Sequence, residues 1–204
     1  MNKYVLLLDS SDVNLSVGIL NNEELVYKND FYAWQRQSEY MIPEINKALE
    51  ATKIELKDIS RVVLGIGPGS YTGVRIPLTI AKTMFAVNKV EVLALSSLKI
   101  MGNSNEKYIS LMNARSNRSY IGIYDRGKDI LPDQIVNNAD IDSIIRPYLE
   151  QGFVLKGNIE YLHSYEQNEF SVIDGLKSYA FETIGDKNID SLCPVYLKDD
   201  YGNN

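Results

Sequence analysis

Residues 3–20, KYVLLLDSSDVNLSVGIL, align without a gap on residues 107–124, KYISLMNARSNRSYIGIY, at a constant offset of 104. Lys3 falls on Lys107, Tyr4 on Tyr108, Leu7 on Leu111, Asp9 on Asn113, Val17 on Ile121 and Gly18 on Gly122. Any two hairpins share alternating apolar residues, but chance does not supply the unbroken register, the paired glycines and an offset near half the chain length. The repeat predicts a duplicated chain of two lobes, each opening on a strand, a polar turn and a second strand. The division falls at the loop MGNSNEK, giving lobes 1–101 and 102–204, the second smaller and degenerate.

In the first lobe, ELVYKNDFYAW reads as a third strand. SEYMIPEINKALEA reads as a helix, with Met41, Ile42, Ile45, Ala48 and Leu49 at helical spacing and Ser38 as its cap. RVVLGIG is a short apolar run of the kind buried on both faces of a sheet. TGVRIPLTIAKTMFAV reads as a second helix and EVLALSS as the last strand. In the second lobe KYISLMNA, SYIGIYD and FVLKGN read as strands, NADIDSIIRPYLEQ as a short helix and PVYLKDD as a closing segment. Strands followed by strand–helix alternation imply an α/β chain, with mixed sheets and helices packed on them.

A chain of 204 residues, 45% hydrophobic and 24% charged, is long enough to bury a core without staples. The one cysteine, Cys193, excludes an internal disulfide and is read as buried filler in a reducing compartment. The opening apolar run is too short for a signal peptide or a membrane span, which points to a cytoplasmic protein with no membrane partner. A formal charge of −6 argues against independent binding to nucleic acid, which depends on basic residues displacing counterions.

The stretch GIGPGSYTGVRIP, residues 65–77, follows an apolar strand and opens a helix. It lacks the lysine and hydroxyl that must follow the last glycine of a Walker loop, since Gly73 precedes Val74 and Arg75. Gly67, Gly69 and Gly73 also miss the dinucleotide spacing. Two readings remain: glycines that let two elements pack closely, with Ser70 or Thr72 capping the helix, or a helix N-terminus that receives an anion. The helix beyond the loop carries Val74, Ile76, Leu78, Ile80, Ala81, Met84, Phe85 and Val87, so it has almost no polar face and calls for cover beyond its own sheet.

GIGPGSYTGVRI closely resembles the G-x-GPGSFTGLRI signature of the TsaB family, also called YeaZ. In the same order, LLLDSS resembles the family's I-L-A-I-D-T-S, VLALSSL its V-x-V-S-S-L, NARSNRSYIGIY its D-A-R-x-x-E-V-Y, LKGN its G-N-G and PVYLK its P-x-Y-L-R. The resemblance covers nearly the whole chain. It implies a two-lobed fold of the actin, Hsp70 and sugar-kinase superfamily, a duplicated ribonuclease H-like arrangement. It also implies a non-catalytic dimerisation subunit that pairs with a TsaD-type paralogue, which transfers the threonylcarbamoyl group to the adenosine beside the anticodon of tRNA.

On that resemblance no cofactor binds this chain alone. ATP and a divalent metal belong to partner subunits, among them a TsaE-type ATPase, and tRNA is met only through the complex. The signature residues are Gly67, Pro68, Gly69, Ser70, Tyr71, Thr72, Gly73 and Arg75, and the pairing helices present Met41, Ile45, Leu49, Ile80, Met84 and Phe85. A homodimer through the same helices is expected when the partner is absent.

The inventory of reactive residues supports a subunit without chemistry of its own. His163 is the only histidine, so a histidine-based metal site is excluded. A serine hydrolase would need that same histidine as base, and GPGSYTG departs from the G-x-S-x-G elbow because Thr72 stands two residues after Ser70 in place of glycine. Asp9 holds the first-lobe position that kinases of the superfamily use for metal and phosphate, or is a plain turn residue; Asn113 holds the second, where the family commonly has aspartate. The competing reading is a small ATP-dependent phosphotransferase built on Asp9 and the glycine loop. The chain departs from the family at WQRQSEYMIP, where Gln35, Gln37 and Ser38 replace a usual histidine. It departs again at Pro77 in place of the glycine of R-I-G, which either starts the helix or bends its first turn.

Overall fold

The computed structural model describes residues 4–166, 168–182 and 189–197. Its first sheet has the order β3-β2-β1-β4-β5, with β1 Tyr4–Asp9, β2 Asn14–Asn21, β3 Glu24–Tyr32, β4 Ile59–Gly65 and β5 Glu91–Leu95. β1 pairs antiparallel with β2 and parallel with β4, so this is a mixed sheet. β1 is central and its apolar run is buried on both faces, whereas edge strand β3 alternates half-buried and exposed residues.

The period of two along β1 sorts its residues between two cores. Leu6 and Leu8 face α1 (Gln37–Thr52) and α2 (Tyr71–Asn88), which lie together on one side. Val5 and Leu7 face the opposite side, where they meet Ile173, Leu176 and Tyr179 of α4 (Val172–Tyr179). Helix α4 follows the second sheet in sequence yet packs on the first, so the cores cross the division at 101/102.

The second sheet has the order β8-β7-β6-β9: β6 Lys107–Arg115, β7 Arg118–Asp125, β8 Lys128–Asn137 and β9 Val154–Lys156. Helix α3 (Ile141–Leu149) covers Ile109, Leu111, Ile121 and Ile123 on one face. On the other face Tyr108, Met112 and Tyr124 pack against Leu98 and Met101 of the first lobe. The offset of 104 carries β2 onto β7 at both ends and the start of β3 onto that of β8. The copies diverge after the third strand, because α3 is shorter than α1 and β9 shorter than β4.

Several local readings change. Helix α1 begins at Gln37, one residue before Ser38, and its N-terminal flank Arg36 offers no side-chain cap, so Ser38 is not the cap. Pro77 lies inside α2 rather than at its start. β8 and α4 have no counterpart in the sequence reading. Residues 194–197 of the closing segment form neither strand nor helix, and 198–200 lie outside the described residues, as does Lys3 of the repeat. Cys193 is exposed, not buried, because it sits on the segment that runs over the surface of the first lobe.

Candidate functional site: the signature loop and the cleft

Asp9 ends β1 and is 3% exposed. Its Oδ2 accepts hydrogen bonds from the backbone N–H and the hydroxyl of Ser11, both at 3.0 Å, while Oδ1 has no hydrogen-bond partner. Burial pushes the carboxyl up to about 7; the two bonds from Ser11 oppose the shift, and the nearby Asp12 and Asp30 add to it.

The glycine loop leans directly on the turn after β1. Ser70 N–H donates to the Ser11 carbonyl at 2.7 Å, and Ser70 Oγ caps α2 by accepting from Gly73 N–H at 3.3 Å. A Cβ on Gly73 would stand 1.9 Å from the Ser10 carbonyl oxygen. The glycines therefore admit backbone against backbone, which is the packing role. The Gly67–Pro68 peptide is cis, and Gly67 has φ +109° with the Val195 carbonyl where a side chain would project. Ser97 holds this residue twice: its hydroxyl accepts from Gly67 N–H and its own N–H donates to the Gly67 carbonyl, both at 2.9 Å.

Pro77 has no N–H to donate to the Gly73 carbonyl four residues earlier. The Ser10 hydroxyl supplies that bond at 2.7 Å, so the proline is accommodated inside the helix by the loop it packs against. The C-terminal segment closes the other side of the loop. Val195 N–H donates to the Ile66 carbonyl at 2.7 Å, and the Tyr196 ring stacks on Tyr71. Arg75 lies 3.8 Å over the Tyr71 ring, and its Nε donates to the Tyr196 hydroxyl at 2.7 Å. Ser10 and Tyr196 were both missed by the sequence reading. The serine was visible in LLLDSS, but only the fold places it under Gly73.

Of the six apolar helix residues named for pairing, Met41, Ile45 and Met84 are at most 4% exposed and belong to the chain's own core. They cannot meet a second chain; this corrects the expectation. Leu49, Ile80 and Phe85 are half-buried and remain available in part. The outward positions of the pair include Ile42, 51% exposed, and Val87, 74% exposed.

Between the lobes runs a cleft. One part, about 300 Å³, brings Ser11, Thr72 and Tyr71 opposite Asn113 and Arg115. The Asn113 Oδ1 is taken by the Arg115 N–H at 2.8 Å, and the Arg115 guanidinium lies 5.6 Å from the Trp34 ring. The adjoining part, about 370 Å³, contains Asp9. The chain therefore brings Asp9 and Asn113, the paired positions of the repeat, to neighbouring parts of one cleft. Arg118 is half-buried at the start of β7, and His163 is exposed. Among the described residues no three histidine, cysteine or acidic side chains come together to hold a metal ion.

A family model described as TsaD, tRNA N6-adenosine threonylcarbamoyltransferase, matches residues 32–198. The tRNA threonylcarbamoyladenosine biosynthesis protein TsaB of Bacillus subtilis is 30% identical over 144 residues, 67% of this chain. The chain belongs to this family, on its TsaB (YeaZ) branch. It spans 63% of the length of the Bacillus TsaB. A Mycoplasma genitalium protein, MG208, described as uncharacterized, is 28% identical over 202 residues, 98% of this chain and 97% of that one. A solved Pseudomonas aeruginosa structure described as similar to YeaZ superposes with TM-score 0.72 at 20% identity, over 96% of this chain and all of that one. That likeness shows a YeaZ-like fold, with two mixed sheets and helices packed on them. Among the described residues no helix is long and apolar enough to cross a membrane.

Proposed function

We propose that this TsaB-family chain is a non-catalytic pairing subunit in the formation of threonylcarbamoyladenosine in tRNA, acting in the cytoplasm. It docks through the outward faces of α1 and α2, in the lobe of residues 1–101, on a TsaD-type threonylcarbamoyltransferase. The partner carries the metal and transfers the threonylcarbamoyl group. ATP is handled by a TsaE-type subunit, and tRNA is reached through the assembly.

The observation that carries this reading is the two-sided packing of the helix pair. Its inner face is satisfied within the chain by the first sheet, yet Ile42 of α1 and Val87 of α2 stand in solvent, on the same helix flanks as half-buried Leu49 and Ile80 seven residues away. Apolar side chains left in solvent along the outer flanks of two packed helices fit a buried contact with another protein. The signature loop supports this face, since Ser10, Ser11 and Ser97 fix the start of α2.

Light scattering on a sizing column, with the chain alone and mixed with the TsaD-type subunit of the same cell, tests the proposal. A species containing both chains is expected. Two separate peaks at micromolar concentrations would contradict it.

A further inference from the structure

The C-terminal segment holds an exposed arginine in place on the outer side of α2. Arg75 stands four residues into the helix, with its guanidinium 3.8 Å from the centre of the Tyr71 ring. Its Nε donates to the Tyr196 hydroxyl at 2.7 Å, and the two tyrosine rings stack with centres 5.4 Å apart. Tyr196 is positioned in turn by backbone. The Val195 N–H donates to the Ile66 carbonyl at 2.7 Å, and the Val195 carbonyl fills the place where a side chain on Gly67 would project.

The charge of Arg75 is not answered within the chain. Arg36, Arg61 and Arg146 each meet a carboxylate, that of Glu39, Glu91 and Asp142 respectively. Among the described residues the Arg75 side chain meets Tyr71 and Tyr196 and no carboxylate. Helix α2 contains two cations, Arg75 and Lys82, and no acidic residue, although the whole chain has a formal charge of −6. With one face of the guanidinium on Tyr71 and Nε on Tyr196, the edge formed by the two terminal amino groups is the part left for a partner. That edge matches the two oxygens of a carboxylate. A side chain already stacked and bonded also has little rotamer freedom left to lose on binding.

We propose that the Tyr71–Arg75–Tyr196 cluster anchors the pairing surface, with the Arg75 guanidinium receiving a carboxylate side chain of the TsaD-type subunit. The inference rests on the pairing reading and adds the chemistry of one contact to it. Arg75, Thr79, Thr83 and Val87 recur every four residues and are all exposed, so the cluster lies on one ridge with the flank assigned to pairing. Tyrosine and arginine are enriched among the residues that dominate interface energies, and Tyr71 is 60% exposed. The apolar flanks supply contact area, whereas a bidentate arginine–carboxylate pair fixes register. Tyr196 is a positioning residue, acting through Arg75. A tRNA phosphate is the other anion an arginine takes. It is disfavoured because binding a phosphate backbone draws on several basic residues, and the second cation of α2, Lys82, donates to the Asp190 carbonyl at 3.4 Å.

Calorimetric titration of the TsaD-type subunit with the full chain tests it, using wild type, Arg75→Gln, Arg75→Lys and Tyr196→Phe at low and high salt. Arg75→Gln should weaken association about tenfold or more and reduce its salt dependence. Arg75→Lys, which keeps the charge without the fork, should fall between wild type and Arg75→Gln. Tyr196→Phe keeps the stacked ring but loses the acceptor of Nε, and should weaken association while the free chain melts as wild type does. Wild-type affinity in Arg75→Gln, or an unchanged salt dependence, would overturn the carboxylate contact and leave pairing intact. Unchanged pairing with weaker retention of tRNA by the mixed assembly would assign Arg75 to a phosphate and overturn it as well. No association of the wild-type chain would overturn the pairing reading, and this contact with it.

Discussion

The Ser10 hydroxyl donates to the carbonyl of Gly73, the one helical acceptor that Pro77 leaves without a donor. The bond is buried and joins residues 63 positions apart, so it ties the end of β1 to the start of the helix on which the pairing reading depends.

Ser10→Ala should therefore leave a buried carbonyl unsatisfied and cost about 1–3 kcal/mol. Pro77→Ala restores the helical N–H, so the same serine substitution should cost less in that background. Urea unfolding of the four proteins of this cycle measures the coupling. Additive effects would mean that the serine and the proline act separately.

Gly73→Ala places a Cβ 1.9 Å from the Ser10 backbone oxygen, which cannot rotate away. A loss of roughly 3 kcal/mol or more, or failure to fold, is expected. Gly152→Ala provides the contrast. Its φ is positive, unlike that of helical Gly73, but open space surrounds it, so only the backbone strain of about 1–2 kcal/mol should appear. Equal costs at the two sites would refute the close-approach explanation.

Asp9 sets a pH dependence whose sign follows from its burial. With a folded value of about 7 against about 3.9 unfolded, the native state binds more protons between these limits. Its contribution is fully present below pH 4, is lost as pH rises through 7, and is flat above. Asp12, Asp30 and Asp133 act in the same direction, and Glu44 and Asp174 in the opposite one. The difference between wild type and Asp9→Asn isolates the one group. Relative to the variant, wild type should lose stability from pH 4.5 to 7 by at most about 1.4 kcal/mol per pH unit, then level off. A difference that does not change with pH would show that Asp9 titrates normally.

The helix pair separates core from contact surface. Met84→Glu puts an unpaired charge in the chain's own core and should abolish folding. Ile42→Glu and Val87→Glu, at exposed positions, should shift the chain's own stability within about 0.5 kcal/mol. In the pairing assay these two should weaken association with the TsaD-type subunit at least tenfold. Unchanged association in both would move the contact away from this face.

Much of this architecture is legible before any coordinates. The gap-free repeat predicts both opening hairpins, because alternating apolar runs have the same meaning in either lobe. β8 escapes because Pro132 and polar residues break its pattern; an edge strand tolerates that, but no periodicity reports it. Helix α4 is only eight residues long, and its cover of the first sheet is a contact between distant parts of the sequence. Met41, Ile45 and Met84 were misplaced for a different reason. Helical spacing identifies an apolar face without saying whether the chain's own sheet or another protein covers it. The loop's packing role was legible as one of two readings, and Ser10 and Tyr196 decide for it only once the fold brings them to Gly73 and Arg75.

A chain that assists a transferase rather than performing the transfer is needed for product but makes none by itself. Mass-spectrometric measurement of threonylcarbamoyladenosine in tRNA, with the TsaD-type and TsaE-type subunits reconstituted with and without this chain, tests it most directly. Product is expected only when the chain is present, and not from the chain alone. Full modification without it, or none after it is added, would contradict the account.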